Sequence, residues 1–295
     1  MALPKIDVPV YDVTLPVSKQ KISFRPFLVK EEKVFLIAKE GNEKAVVNAV
    51  KQIISNCVVK PAKFDPKDLT MTDVEYLFLK LRARSVNNVV ELKYRDKEDK
   101  QVYEFQLDLD EIEPSFDPKH TEKVMLNDNI GVILKQPTLG TMEKLNFSKL
   151  DDNENIWKVI GSSIVSAFDS EQVYDDFTAK EAEEFVKQMD LGMFEKIKTF
   201  FDTMPKLRHE FAYKNSNGTD RKIILEGIQD FFLILLSHNS LANYYSLIFS
   251  LVQHHKYSIT EVENLMPYER DIYVAMLLDF LEKEKRRHEE RKNRR

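Results

Sequence analysis

A single cysteine, Cys57, in 295 residues leaves no internal disulfide to write and no multi-thiolate metal site to build, and it fits a reducing compartment. Glycine is nearly as scarce. The seven glycines stand at 41, 131, 140, 161, 192, 218 and 227, and the closest are nine positions apart. P-loops and dinucleotide fingerprints need several glycines within one turn so that backbone amides can cradle phosphate, so both are excluded. A strong positive balance is also missing: 44 Lys and Arg stand against 49 Asp and Glu, net -5, and no field of the whole molecule draws it to nucleic acid or anionic lipid. The opening MALPKIDVPVYDV carries an early proline and an aspartate where a secretion signal needs an uninterrupted apolar core, so export by that route is not expected.

What remains is globular in character. Hydrophobic residues make up 43% and charged residues 32%, enough for a core under well-solvated surfaces. The length suits two or three units of roughly 100 residues. Phe231 to His255 carries no formal charge, but Ser237, His238, Asn239, Asn243, Ser250 and Gln253 interrupt it. A membrane span wants about 20 predominantly apolar residues, so a buried helix or a subunit interface is expected there instead.

No Gly/Ser or Pro-rich linker separates the three regions that the patterning suggests, at 1–135, 136–230 and 231–295. In the first, Val13, Leu15 and Val17, then Ile22 and Phe24, alternate as a half-buried hairpin that Pro26 ends. A helix is expected through Val34, Ile37 and Ala38. Val46, Ala49, Val50, Ile53, Ile54 and Cys57 then form an apolar helical face, which makes Cys57 a core residue before it is a reactive thiol. Thr72 with Glu75 forms a capping-box signature ahead of Val74, Leu77, Phe78 and Leu81. A second hairpin follows from Val90, Leu92 and Tyr94 against Tyr103, Phe105 and Leu107. Its tip, Asp96 to Lys100, has neither Cys nor His and cannot be a zinc knuckle.

In the middle region a helix is expected from about Ile156 to Phe168. A capping box, Thr178 with Glu181, precedes the face Ala182, Phe185, Val186 and Met189. Met193, Ile197, Phe200, Phe201 and Met204 give a further helix that Pro205 stops. Leu207, His209, Phe211 and Tyr213 alternate and return after Asn215-Ser216-Asn217-Gly218, a third hairpin. The last region reads as all helix. It has a long uncharged helix through Leu241, Tyr244, Tyr245, Ile248 and Phe249, then a short one with alternative capping boxes (Ser258 with Glu261, Thr260 with Glu263). Pro267 opens a final helix with the stripe Ile272, Tyr273, Met276, Leu277, Phe280 and Leu281. From Glu282 to Arg295 eight Lys and Arg face four Glu, the frayed polar end of that helix. The fold class expected is α+β, with helices and antiparallel hairpins followed by an all-helical C-terminal region.

No catalytic constellation emerges. Gly161-Ser162-Ser163 lacks the second glycine of a nucleophile elbow. His209-Glu210 has Tyr213 where a zincin needs its second histidine, and it sits in a strand pattern. His254 and His255 are neighbours that point about 100° apart on a helix, poor joint ligands. Asp108, Asp110, Glu111 and Glu113, and again Asp151, Asp152 and Glu154, lack the companions that glycosidase or two-metal sites use, and they read as solvated turns. Catalytic residues, cofactor and metal are therefore all expected to be none.

FRPFLVKEEK from Phe24, VNAVKQIISNCV from Val47, VEYLFLKLRARSVNNVVELKYRD from Val74, LRHEFAYKNSNG from Leu207 and LEGIQDFF from Leu225 resemble the baseplate hub assembly protein of T-even-type tailed phages, over about residues 10–232. HHKYSITEVENLMPYERDIYVAMLLDFLEKEK, from His254, resembles a second hub assembly factor of those phages, the hub assembly catalyst. The resemblance implies a non-enzymatic role in hub assembly, with the tape-measure protein as a chaperoned client. Partners would be that protein and hub components, with room for a homo-oligomer and with neither nucleic acid nor a membrane span. The place implied is the host cytoplasm during assembly, or alternatively the virion tail baseplate. Aromatic and Arg residues dominate interface energetics, so Tyr244, Tyr245, Phe249, Tyr268, Arg270, Tyr273, Met276 and Phe280 are the candidate partner-binding residues.

Overall fold

A computed structural model describes residues 9–144, 153–227, 230, 231 and 239–293. The fold is α+β, with antiparallel sheets and a helical C-terminal region, and it is organised around three apolar clusters.

The first cluster is built mainly from the N-terminal half. Strands β1 (Tyr11–Thr14) and β2 (Lys21–Phe24) pair antiparallel with Val13 opposite Ile22, and β3 (Val58–Lys60) adds to the β2 edge. Helices α1 (Val29–Lys39), α2 (Glu43–Cys57) and α3 (Met71–Ser85) pack against them. Ala49, Val50, Ile53, Ile54 and Cys57 of α2 are buried, as their spacing predicts. Burial pushes the Cys57 thiol far up, and Glu31 nearby adds to the shift, so the thiolate is suppressed. The cap of α3 differs from the expected box. Thr70 is the N-cap and accepts from the Asp73 amide, while the Thr72 hydroxyl donates to the Pro205 carbonyl at 2.7 Å. Its neighbour Asp73 is committed elsewhere as well, accepting the Val17 and Ser18 amides at 2.8 and 2.9 Å.

Hairpin β4 (Val89–Arg95) with β5 (Val102–Asp108) has Leu92 opposite Phe105 and Tyr94 opposite Tyr103. Hairpin β11 (Lys206–Lys214) with β12 (Asp220–Glu226) forms over a hundred residues later. Leu207 and Leu225 of that hairpin, with Phe231, join the first cluster. Its strand β11 also pairs with the short β6 (Pro114–Ser115), so the chain returns to the N-terminal body to close it.

The second cluster lies between the four-stranded sheet β10-β9-β8-β7 and helices α5 (Asn153–Ser163), α6 (Ala179–Lys187) and α7 (Leu191–Thr203). The sheet comprises β7 (Lys123–Met125), β8 (Gly131–Leu134), β9 (Ile164–Phe168) and β10 (Val173–Tyr174), and α4 (Leu139–Lys144) leads in. The helix expected to reach Phe168 stops at Ser163. Ser162 and Ser163 turn their hydroxyls back on the Val159 carbonyl, and the β-branched pair Ile164-Val165 begins a strand on the waiting edge of β8. The Thr178–Glu181 capping box of α6 forms as expected.

The third cluster joins α8 (Leu241–His255), α9 (Ile259–Glu263) and α10 (Pro267–Asn293) to the outer side of α1. Ser240 caps α8, and Lys256 in the left-handed region ends it. Ser258 holds the N-cap of α9 without a side-chain bond, and Glu263 is drawn instead to Lys33 and Tyr244. Residues 232–238 of the uncharged stretch, and Asp151 and Asp152, lie outside the described residues.

Candidate partner-binding surface

Helix α1 is the root of the surface because it is apolar on two sides. Phe35 and Ala38 enter the first cluster, Phe35 meeting Phe78 edge-on at 4.8 Å between centroids. Val29 and Leu36 enter the third, against Tyr244, Ile248, Leu251 and Val262. Its two adjacent glutamates are divided in the same way. Glu31 takes a two-pronged bond from Arg25, at 2.9 and 2.7 Å, and also accepts the Leu28 amide. Burial resists ionisation of Glu31, but these donors together hold its carboxyl below the ordinary range.

Glu32 is fully enclosed and pairs with Arg270 of α10, whose guanidinium also bonds Asp271 at 2.9 Å. Burial works against the Arg270 charge, yet Glu32 and Asp271 more than offset it and raise its pKa. Arg82 of α3 lies buried within the field of Glu32 and Asp271; burial pulls its pKa down to about 10 in spite of them. Around this charge cluster, Lys33 reaches Glu263 at 2.7 Å, Lys30 reaches Asn264 at 2.8 Å and the Tyr244 hydroxyl donates to Glu263 at 3.1 Å. The C-terminal helices are thus fixed on their inner faces by apolar contact and by ion pairs that span more than 200 residues of sequence.

On the opposite faces the helices are open. Tyr245 and Phe249 of α8, and Ile272, Tyr273, Met276, Leu278 and Phe280 of α10, are each more than half exposed. At 3.6 residues per turn, Ile272, Tyr273, Met276 and Phe280 fall within an arc of about 100°, and Tyr245 and Phe249 with Val252 form a narrower one on α8. Of the eight residues expected to bind a partner, five are in this exposed set. Tyr268 is half-buried. Tyr244 and Arg270 leave the surface: both are enclosed within the chain, one packed on α1 and the other spent on Glu32.

A second long-range contact was not anticipated. The two hairpins stack face to face, with Phe105 on Phe211 at 5.0 Å and Tyr103 on Tyr213 at 4.7 Å between centroids. Their tips interlock: Tyr213 donates its hydroxyl to Asp96 at 2.5 Å, Ser216 donates its amide and hydroxyl to Asp99, and Arg221 pairs with Glu98. The Tyr213 bond, then the Glu98 and Asp99 amides, keep the Asp96 carboxyl below its usual range. Asp99 is lower still: desolvation opposes the shift, but donors from Tyr103, Ser216 and Gln101 outweigh it.

Other candidate chemistry does not converge. Asp110 is held by Arg84 at 2.9 and 3.0 Å, Glu113 accepts from Tyr76, and Asp108 accepts from Asn88. His209 lies in a strand against Phe211, and burial lowers its pKa. Among the described residues no group of three or more His, Cys, Asp or Glu is placed to hold a metal ion, and no helix is long and apolar enough to cross a membrane.

A phage baseplate family accounts for the body of the chain. A family model described as "T4 bacteriophage base plate protein" matches residues 8–233, and the protein belongs to that family. No curated protein and no solved structure matches the chain. Membership implies a role in the baseplate and contact with other phage tail proteins. It fits either the virion tail baseplate or its assembly in the host cytoplasm. Residues 234–295, which carry α8, α9 and α10, lie outside the matched span.

Proposed function

We propose that the protein is a non-enzymatic assembly factor of the baseplate hub, and that its C-terminal helices shield the hydrophobic tape-measure protein until hub and tube form. One observation carries the reading: aromatic and aliphatic side chains stand exposed on helices whose opposite faces are firmly tied to the body. A helical client covers such stripes through side chains at i, i+3, i+4 and i+7, and this mode of recognition needs no catalytic geometry. The resemblance of His254 to Lys285 to a hub assembly catalyst points the same way.

Co-expression with the tape-measure protein tests it. The full chain keeps the client soluble and co-elutes with it in size exclusion, whereas a chain ending near Phe232 does not. Equal solubilisation by the truncated chain refutes the assignment.

The second reading is a subunit retained in the mature baseplate hub, with which the family description is equally compatible. Protein composition of purified virions separates the two: a stoichiometric band supports the retained subunit, and its absence supports the transient factor.

A further inference from the structure

The middle module carries a groove of about 490 Å³ between the β9–β10 hairpin and α6. Its walls are apolar, from Ile164, Ala167, Phe168, Phe177 and Phe185, and carboxylates of Asp169, Asp176 and Glu181 stand at its rim. The surrounding sequence is strongly acidic. From Asp169 to Glu184 there are seven Asp and Glu against Lys180 alone. Asp169 and Glu181 are spent locally, on the Glu171 and Gln172 amides and on Thr178. Asp175 and Asp176 are exposed and have no bonding partner among the described residues.

The far end of α10 is the complement of this groove. From Leu278 to Asn293 the helix stands clear of the body, a length of about 24 Å at 1.5 Å per residue. Leu278, Leu281, Lys285 and Lys292 share one face, two leucines followed by two lysines. That face lies about 160° around the helix from the Ile272–Phe280 stripe. The ion pairs along the helix are Lys283 with Asp279, Arg286 with Glu282 and Arg287 with Glu284. Among the described residues Lys285 and Lys292 take part in none of them.

We propose that the Leu278–Lys292 face of α10 from one copy docks into the acidic-rimmed groove of a second copy. The leucines enter the apolar walls, and Lys285 and Lys292 meet Asp175 and Asp176. Groove and helix end are different surfaces, so the contact is head-to-tail and propagates into a ring or a filament. The contact takes Leu278 and Leu281 from the exposed apolar residues of α10 and leaves Ile272, Tyr273, Met276 and Phe280 uncovered.

Sedimentation velocity on the full chain tests the contact. The wild type associates in a concentration-dependent manner that weakens with added salt. Lys285→Glu/Lys292→Glu and Asp175→Lys/Asp176→Lys each weaken association roughly tenfold or more. Mixing the two variants restores it, because native groove then meets native helix end and reversed meets reversed. A wild type that stays monomeric at every concentration overturns the proposal. So does a groove variant that associates like wild type, or a mixture that stays dissociated. Both variants still solubilise the tape-measure protein, so loss of that activity alone bears on the client role and not on this contact.

Discussion

The hairpin pair and the C-terminal helices both join chain segments far apart in sequence, yet they are joined in opposite ways. The hairpins meet along their whole length: rings cover rings, and the tips are tied by Asp96, Glu98 and Asp99 to Tyr213, Arg221 and Ser216. The C-terminal helices meet α1 on one face only, through one apolar cluster, the buried Arg270–Glu32 pair and the bonds of Lys33 and Lys30, and their outward faces are bare. A contact satisfied along its whole length fixes shape and has nothing left to offer. A contact satisfied on one face leaves the opposite face of the same helices uncovered. The difference follows the family boundary, since both hairpins lie within residues 8–233 and the bare helices lie beyond them.

The comparison breaks most readily at Arg270. Replacing it with Met takes away the cation that pairs with the enclosed Glu32, leaving that carboxylate to Asn239 and the field of Arg82, and breaking a buried pair by removing one partner costs about 3–5 kcal/mol. The loss is local. Hydrogen exchange across α8, α9 and the base of α10 accelerates steeply, while amides of β4, β5, β11 and β12 keep their protection. Replacing Glu32 and Arg270 together with apolar residues recovers only part of the stability, because Arg82, buried in the same field, then loses the carboxylate that faces it. Equal acceleration in both regions of the single variant would show that they unfold as one unit.

On the hairpin side, Phe105→Ala removes a half-buried ring that touches both Phe211 and Tyr213. Loss of apolar area and of ring contacts predicts about 2–3 kcal/mol, read from the urea midpoint. Here the exchange pattern reverses: the hairpins lose protection and α8 keeps it.

The individual hairpins were legible in the sequence because period-two alternation is local, and the registers Leu92 with Phe105 and Phe211 with Ile223 follow from it. Their stacking was not legible. Tyr213 and Asp96 are 117 residues apart, and nothing in the neighbourhood of either names the other. Helix α1 was legible as a helix, but the reading rested on Val34, Ile37 and Ala38, of which only Ala38 is fully buried. The missed signal was the adjacent pair Glu31-Glu32. Neighbours on a helix point about 100° apart, so a helix covered on two sides must bury at least one and supply it with a cation. Strands β6, β7 and β10 are two or three residues long, too short for alternation to register. On the candidate surface the aromatic and Arg bias picked out Tyr244 and Arg270 as readily as Phe249, since composition does not distinguish the inward side of an amphipathic helix from the outward side.

A smaller effect sharpens the hairpin side. Tyr213→Phe deletes the donor that does most to hold the Asp96 carboxyl low, with a loss below that of Phe105→Ala. Its pH dependence follows from the sign of the shift. An aspartate whose folded pKa is depressed contributes stability that is complete above its unfolded pKa of about 4 and is lost as pH falls through the folded value. Wild-type hairpins therefore weaken below about pH 4, and the variant, whose Asp96 is less depressed, shows a shallower acid dependence of the urea midpoint. Parallel acid curves for the two proteins would place the acid-sensitive group elsewhere.

The smallest effect on folding belongs to the bare helix. Met276 and Phe280 of α10 are both more than half exposed, and surface substitutions away from special features usually change stability within about 0.5 kcal/mol. Met276→Ser/Phe280→Ser therefore leaves the thermal midpoint and the exchange pattern of α8 almost unchanged. If these side chains are held out for a client, the same double variant loses tape-measure solubilisation, because the partner's apolar surface is no longer covered. The pairing of a silent folding readout with a lost binding readout is what distinguishes an offered surface from a structural one. A variant that loses stability as well would show that the stripe packs on its own chain, and one that loses neither would move the client elsewhere.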